Sequence, residues 1–216
     1  MHPLDPLNRD ELDRAIQIIR EQMDLPVDAL FEQVRLKEPL KALVHAFNTG
    51  SAPEISREAF AVVLDRSADK VCEVVVSLSS DTMTSCDVIP GARIAFLDEE
   101  SAEFRRIICE HPDFLAALER RGISDPEQVH IEGFAVANLA EPDEKHLRHT
   151  RAHCFFREDP QDNSHVRPIE GLVPVVDLNN REVLRIEDNG VAPLPPDLGD
   201  YRSDRLHTRQ PLAPLD

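Results

Sequence analysis

Gly171-Leu172-Val173-Pro174-Val175-Val176-Asp177-Leu178-Asn179-Asn180-Arg181-Glu182-Val183-Leu184-Arg185-Ile186-Glu187 decides the fold class. Two short runs rich in valine, leucine and isoleucine flank Asn179-Asn180, and asparagine tolerates the positive φ angles of a two-residue hairpin turn. The stretch therefore predicts two directly joined antiparallel strands, Gly171 to Leu178 and Glu182 to Glu187. An antiparallel sheet can leave one face to solvent, so a helix on the other face suffices to cover it.

Upstream, Val129 to Val136 and Arg151 to Phe156 supply two further strands. Before them, Asp98, Glu99 and Glu100 favour a helix N-terminus, and Phe104, Ile107 and Ile108 form its buried stripe. His111-Pro112 restarts the helix and Gly122 stops it. The same order occurs nearer the N-terminus. Asn8 and Glu11 have the spacing of a capping box, and Leu12, Ala15, Ile16, Ile19 and Met23 recur at helical intervals up to Leu25-Pro26. Leu40 to Phe47 is the least defined run. Ala59 to Asp65, Val71 to Leu78 and Met83 to Ile89 read as strands, separated by Ser67-Ala68-Asp69 and Ser79-Ser80-Asp81.

A helix followed by a run of strands, twice over, argues for α+β rather than a parallel doubly wound sheet. The expectation is two tandem small domains, each an antiparallel sheet packed on a helix, with the boundary near Gly91 to Leu97. The ranges are 1–93 and 94–190, followed by a proline-rich linker at 191–216 that should be extended and lack its own core.

Composition narrows the partners. The chain carries 24 basic and 41 acidic residues, a formal net charge of −17, so its long-range field repels phosphate backbones and anionic bilayers. Nucleic acid and membrane are excluded as expected partners, and the acidity reads first as a solvated surface. No run is long enough to span a bilayer, and Leu12 to Met23 is broken by charges, so it is no signal segment. Cys72, Cys86, Cys109 and Cys154 are widely spaced, without a Cys-x-x-Cys pair, and most read as buried small apolar residues. A cytoplasmic chain with reduced thiols is the expectation.

His146, His149, His153 and Cys154 are the densest set of possible metal ligands. A closed zinc site needs four convergent ligands, so these histidines read as surface or edge-strand residues, with a metal site as the lesser alternative. There is no Gly-x-Ser-x-Gly elbow and no phosphate-cradling Gly-x-Gly loop. His153 and Cys154 are neighbours that a strand points to opposite faces, a poor nucleophile and base pair. No catalytic residue is assigned. In Arg167-Pro168-Ile169-Glu170-Gly171, Pro168 stiffens the approach to a strand and Gly171 permits a bend.

Taken in order, Arg157-Glu158-Asp159-Pro160-Gln161-Asp162-Asn163, Arg167 through Asn179, and Glu187-Asp188-Asn189-Gly190-Val191 resemble the non-catalytic N-terminal region of copper-containing primary-amine oxidases. The resemblance begins at His2-Pro3-Leu4-Asp5-Pro6-Leu7. It continues through Val62-Val63-Leu64-Asp65-Arg66 and Val88-Ile89-Pro90-Gly91, and ends at Arg209-Gln210-Pro211-Leu212-Ala213-Pro214-Leu215. The chain departs from the family at Cys72, Cys86 and His165, where aromatic residues are common.

The resemblance implies cystatin-like domains with a scaffold role beside a catalytic domain that holds copper and a tyrosine-derived quinone, topaquinone. That domain oxidises primary amines to aldehydes. It implies that Arg167, Pro168, Ile169, Glu170 and Gly171 belong to a surface docking on that domain, in an assembly that includes a homodimer. The family's copper site takes a His-x-His pair plus a third histidine, and its quinone arises in Asn-Tyr-Asp or Asn-Tyr-Glu. This chain has no His-x-His, and its single tyrosine stands in Asp200-Tyr201-Arg202. No cofactor is therefore assigned to it, and it is expected to be inactive alone. An independent protein-binding module of the same fold is the alternative, and a small metal-binding protein built on the histidine cluster is a third reading.

Overall fold

The side chain of Asn8 caps the first helix, α1 (Arg9–Met23). Its Oδ1 accepts from the Glu11 N–H at 3.0 Å, while its own N–H donates to Glu11 Oε2 at 2.9 Å, the reciprocal box that the sequence spacing predicts. In the computed structural model, which describes residues 2–51, 54–136, 142, 144–159 and 162–196, the chain divides after Ala95 into two units.

The first unit continues with β1 (Leu30–Lys37), α2 (Lys41–Asn48), β2 (Glu58–Asp65), β3 (Lys70–Ser77) and β4 (Thr82–Val88). The strands pair in chain order, all antiparallel. Ala15, Ile18 and Ile19 of α1 pack on Ala59, Ala61 and Val63 of β2 and Cys72, Val74 and Val76 of β3. Strand residues two apart share that inner face, as the pleat dictates. Ile18 is fully buried while Ile16 is only half-buried, so the helix faces the sheet slightly rotated from the predicted stripe.

β1 is an addition to the predicted set. A bulge between Phe31 and Gln33 breaks the alternation of β1, so that Leu30, Phe31 and Val34 mimic helical spacing. The run from Leu40 resolves as a helix, eight residues long and without a fully buried side chain.

The second unit opens with a 3-10 turn at Asp98–Glu100, followed by α3 (Ser101–Cys109) and α4 (Pro112–Arg120). Then come β5 (Val129–Ala135), β6 (His149–Phe156), β7 (Leu172–Asp177) and β8 (Glu182–Asp188), again antiparallel and in chain order. Phe104, Ile108, Phe114, Ala117 and Leu118 of the helices cover Val129, Ile131, Ala152, Cys154, Leu172 and Val176. Gly133 allows the close approach: a Cβ there would stand 3.2 Å from Thr150 Oγ1 and 3.4 Å from the Phe104 ring. Each unit is thus α+β, a four-stranded antiparallel sheet packed on helix, α1 in the first unit and α3 with α4 in the second.

The hairpins are wider than predicted. Asp177 pairs with Glu182, leaving a four-residue loop in which Arg181 takes positive φ (57°) and Asn179 and Asn180 do not. The Asp177 carboxylate organises the loop instead, accepting from the N–H groups of Asn179 and Asn180 at 2.9 and 3.1 Å. The Asp65–Lys70 and Ser77–Thr82 hairpins repeat the pattern, with Asp69 and Asp81 at positive φ.

Two ion pairs pin the helices of the second unit. Arg148 and Glu100, with side chains 2% and 5% exposed, form a two-pronged pair at 2.9 and 2.5 Å. Glu100 also accepts from the Leu97 N–H, so it serves the helix start, as predicted, and a buried cation besides. Arg121, at the end of α4, donates to Asp188 Oδ1 and to the Gly190 carbonyl, each at 2.6 Å. Of the segment predicted as a proline-rich linker, residues 191–196 carry no helix or strand, Leu194 packs against the core of the second unit, and the remainder lies outside the described residues.

Candidate functional site

The outer face of β5 carries His130, Glu132 and Phe134 at alternate positions, because Val129 and Ile131 between them point into the core. Across the sheet, His130 pairs with Phe155 and Glu132 with His153. The loop between β6 and β7 brings in His165. Its Nε2 lies 2.7 Å from Glu132 Oε1, and His130 Nε2 lies 3.0 Å from the same oxygen. The rings of His130, Phe155 and His165 pack edge to face or tilted, with centroids 5.2 to 6.3 Å apart. Burial raises the affinity of the Glu132 carboxyl for its proton, but the hydrogen bonds from His130 and His165 outweigh it and hold the group below the usual carboxylate range.

The histidines singled out by density fare differently. His146 is exposed, the His149 ring is buried with Nε2 3.6 Å from Glu144 Oε2, and the exposed His153 stacks on Phe134 at 4.5 Å. His149 and His153 share a face of β6, but four residues of strand separate their Cα atoms by roughly 13 Å. The three are not brought together. β6 is also an interior strand of its sheet, so of the expected surface or edge-strand placement the surface one describes His146 and His153 and the edge-strand one is corrected. Among the described residues, the set of histidine, cysteine and carboxylate groups whose ligand atoms lie within 4.8 Å of one another is His130, Glu132 and His165. The sequence signal was His-x-Glu on a predicted strand, which shares one face, but the path of the loop that delivers His165 was not readable.

Arg167 through Gly171 is built into the unit itself. The Arg167 guanidinium lies over the Phe156 ring at 4.9 Å and donates to Glu158 at 2.8 Å. Pro168 bridges to Phe155, Ile169 is buried in the core, and Gly171 takes φ +75° with the Gly190 carbonyl only 3.0 Å from where a Cβ would stand. Glu170 alone of the five is exposed. Of the cysteines, Cys72 and Cys154 are buried and Cys86 is exposed; burial pushes the Cys154 thiol far up and raises Cys72 and Cys109, so none of these three is an activated nucleophile.

Two family models match in tandem: copper amine oxidase N2 domain over residues 2–89 and copper amine oxidase N3 domain over residues 99–204. The chain belongs to the copper amine oxidase family. Its residues correspond to the N2 and N3 domains of that family. It is 34% identical to the primary amine oxidase of Arthrobacter sp. (strain P1), over 99% of this chain and 32% of the relative. It is 30% identical to the primary amine oxidase of Klebsiella aerogenes, over 90% of this chain and 26% of that enzyme. Among solved structures, the copper-containing benzylamine oxidase from Hansenula polymorpha shares the fold with a TM-score of 0.77 at 20% identity, covering 100% of this chain and 36% of the other. The chain thus spans about a third of the length of the curated relatives that it matches.

Copper and topaquinone belong to the family's chemistry, and the described side chains do not fit them. The convergent set is two imidazoles and a carboxylate rather than three imidazoles, and the chain has no His-x-His. Tyr201 lies outside the described residues. No catalytic step is derived through either group.

Proposed function

We propose that this chain is the scaffold and interface portion of a copper- and quinone-dependent primary-amine oxidase, the parent reaction being oxidative deamination of primary amines to aldehydes. The match of both N-terminal domain models, in order and over most of the chain, carries the reading. Longer relatives in which this region is about a quarter to a third of the enzyme support a catalytic domain as partner; the reading takes that assembly to be a homodimer. The docking surface in this reading is the second unit with the proline-rich segment, and Arg167 to Gly171 contributes by shaping it, with Glu170 as the exposed contact. Four cysteines without a disulfide support a cytoplasmic setting.

Chemistry is the direct test. Oxidising a primary amine needs an electron-accepting carbonyl cofactor, and the setting of Tyr201 does not match the sequence in which the family makes one. The 216-residue chain, loaded with copper under oxygen, should give no quinone stain and no aldehyde from amines. A quinone stain abolished by Tyr201→Phe would overturn the reading.

A further inference from the structure

We propose that His130, Glu132 and His165 form a divalent transition-metal site of the zinc type on the outer face of the second sheet, distinct from the scaffold role and from the family's copper chemistry. Both Nε2 atoms address one oxygen, Glu132 Oε1, at 3.0 and 2.7 Å, and all three ligand atoms lie within 4.8 Å of one another. A four-coordinate ion with bonds of about 2.0–2.1 Å holds its ligands about 3.3 Å apart. To admit it the two hydrogen-bonded pairs open by about 0.3 and 0.6 Å, and the two Nε2 atoms, now within 4.8 Å, settle at about the same 3.3 Å from each other.

Position and chemistry agree. His130 and Glu132 sit two residues apart on a paired strand, so the pleat fixes their spacing, and the ring of Phe155 braces both His130 and His165. Two imidazoles and one carboxylate are the donor set of open zinc sites, in which water completes the shell. The same set is a poor one for Mg2+ or Ca2+, which take six or more oxygen ligands. The side chains are 29%, 31% and 55% exposed, so the open side faces solvent and an ion can enter without rearrangement of the core. The net charge of −17 raises the local cation concentration. His153 lies across from Glu132 but is held against Phe134, leaving three protein ligands.

The 216-residue chain, freed of metal with chelator and titrated with Zn2+ by calorimetry, should bind one ion, and Co2+ in its place should give visible absorption of a low-coordinate imidazole site. His130→Ala, His165→Ala and the near-isosteric Glu132→Gln should each weaken Zn2+ binding at least about tenfold. His146→Ala and His153→Ala should leave it unchanged, and Mg2+ should not compete. Circular dichroism and thermal melting report whether each variant keeps its fold, and Glu132→Gln and the loop variant His165→Ala touch no core contact. No saturable Zn2+ binding, binding as tight as the parent chain's in any of the three ligand variants, or loss of binding in His146→Ala or His153→Ala instead would overturn the proposal.

Discussion

Glu100 shows how one side chain takes on a role that its neighbours in sequence do not reveal. Its place in an acidic run predicts a helix start, and it does hold the Leu97 N–H, but its carboxylate also neutralises Arg148, itself only 2% exposed. Removing one partner of a buried pair strands the other charge, so Glu100→Gln should cost about 3–5 kcal/mol, read as a lowered urea midpoint. Asp188 supplies the pH dependence. Hydrogen bonds from Arg121 and then Arg120 hold its carboxyl far below the ordinary range. Its stabilisation is therefore complete above the unfolded-state value of about 3.9 and is lost as pH falls from there toward the depressed folded value. Asp188→Asn should lower stability at neutral pH and flatten the loss on acidification below about pH 4; an acid limb identical to that of the parent chain would refute the assignment. Neither pair was legible in the sequence, because Arg148 and Arg121 reach their partners across 48 and 67 residues of chain.

At the level of elements, the predicted helices and strands are largely readable, since capping at Asn8 and apolar β-branched runs such as Lys70–Ser77, bounded by turn residues, are local signals. β1 escapes the sequence pattern because its bulge breaks the pleat between Phe31 and Gln33, and the hairpin at Asn179-Asn180 is wider than a two-residue turn because the controlling residue is Asp177. The left-handed residue of that loop is Arg181, with φ 57°. Glycine takes this conformation without the Cβ clash, so Arg181→Gly should raise stability by roughly 0.5–1 kcal/mol, whereas Asn180→Gly should not; thermal melting of the pair separates the two accounts of the turn. On α1, Ile19 is fully buried and Ile16 half-buried. Ile19→Asp should therefore destabilise far more than Ile16→Asp, and equal urea midpoints would contradict the helix orientation.

For the whole molecule, the two cores have no residue in common: one centres on Ile19, Val63 and Val74, the other on Ile108, Phe114 and Val129. Hydrogen exchange on Ile19→Asp should show protection lost in β2 and β3 but retained in β5 through β7, and uniform loss would mean a single cooperative core. The order of the two domains was legible because each carries its own helix-then-strands pattern, whereas the His130, Glu132 and His165 cluster was not, because a loop closes it. In the reading proposed above, this region serves a catalytic domain by docking on it. Titrating a copper amine oxidase catalytic domain into the chain by calorimetry, with and without residues 193–216, tests it most directly. Cutting a covalent link removes its high effective concentration, so the account predicts weak, saturable binding that weakens further without the proline-rich segment. No binding at high micromolar concentration, or binding indifferent to that segment, would contradict it and favour an independent module.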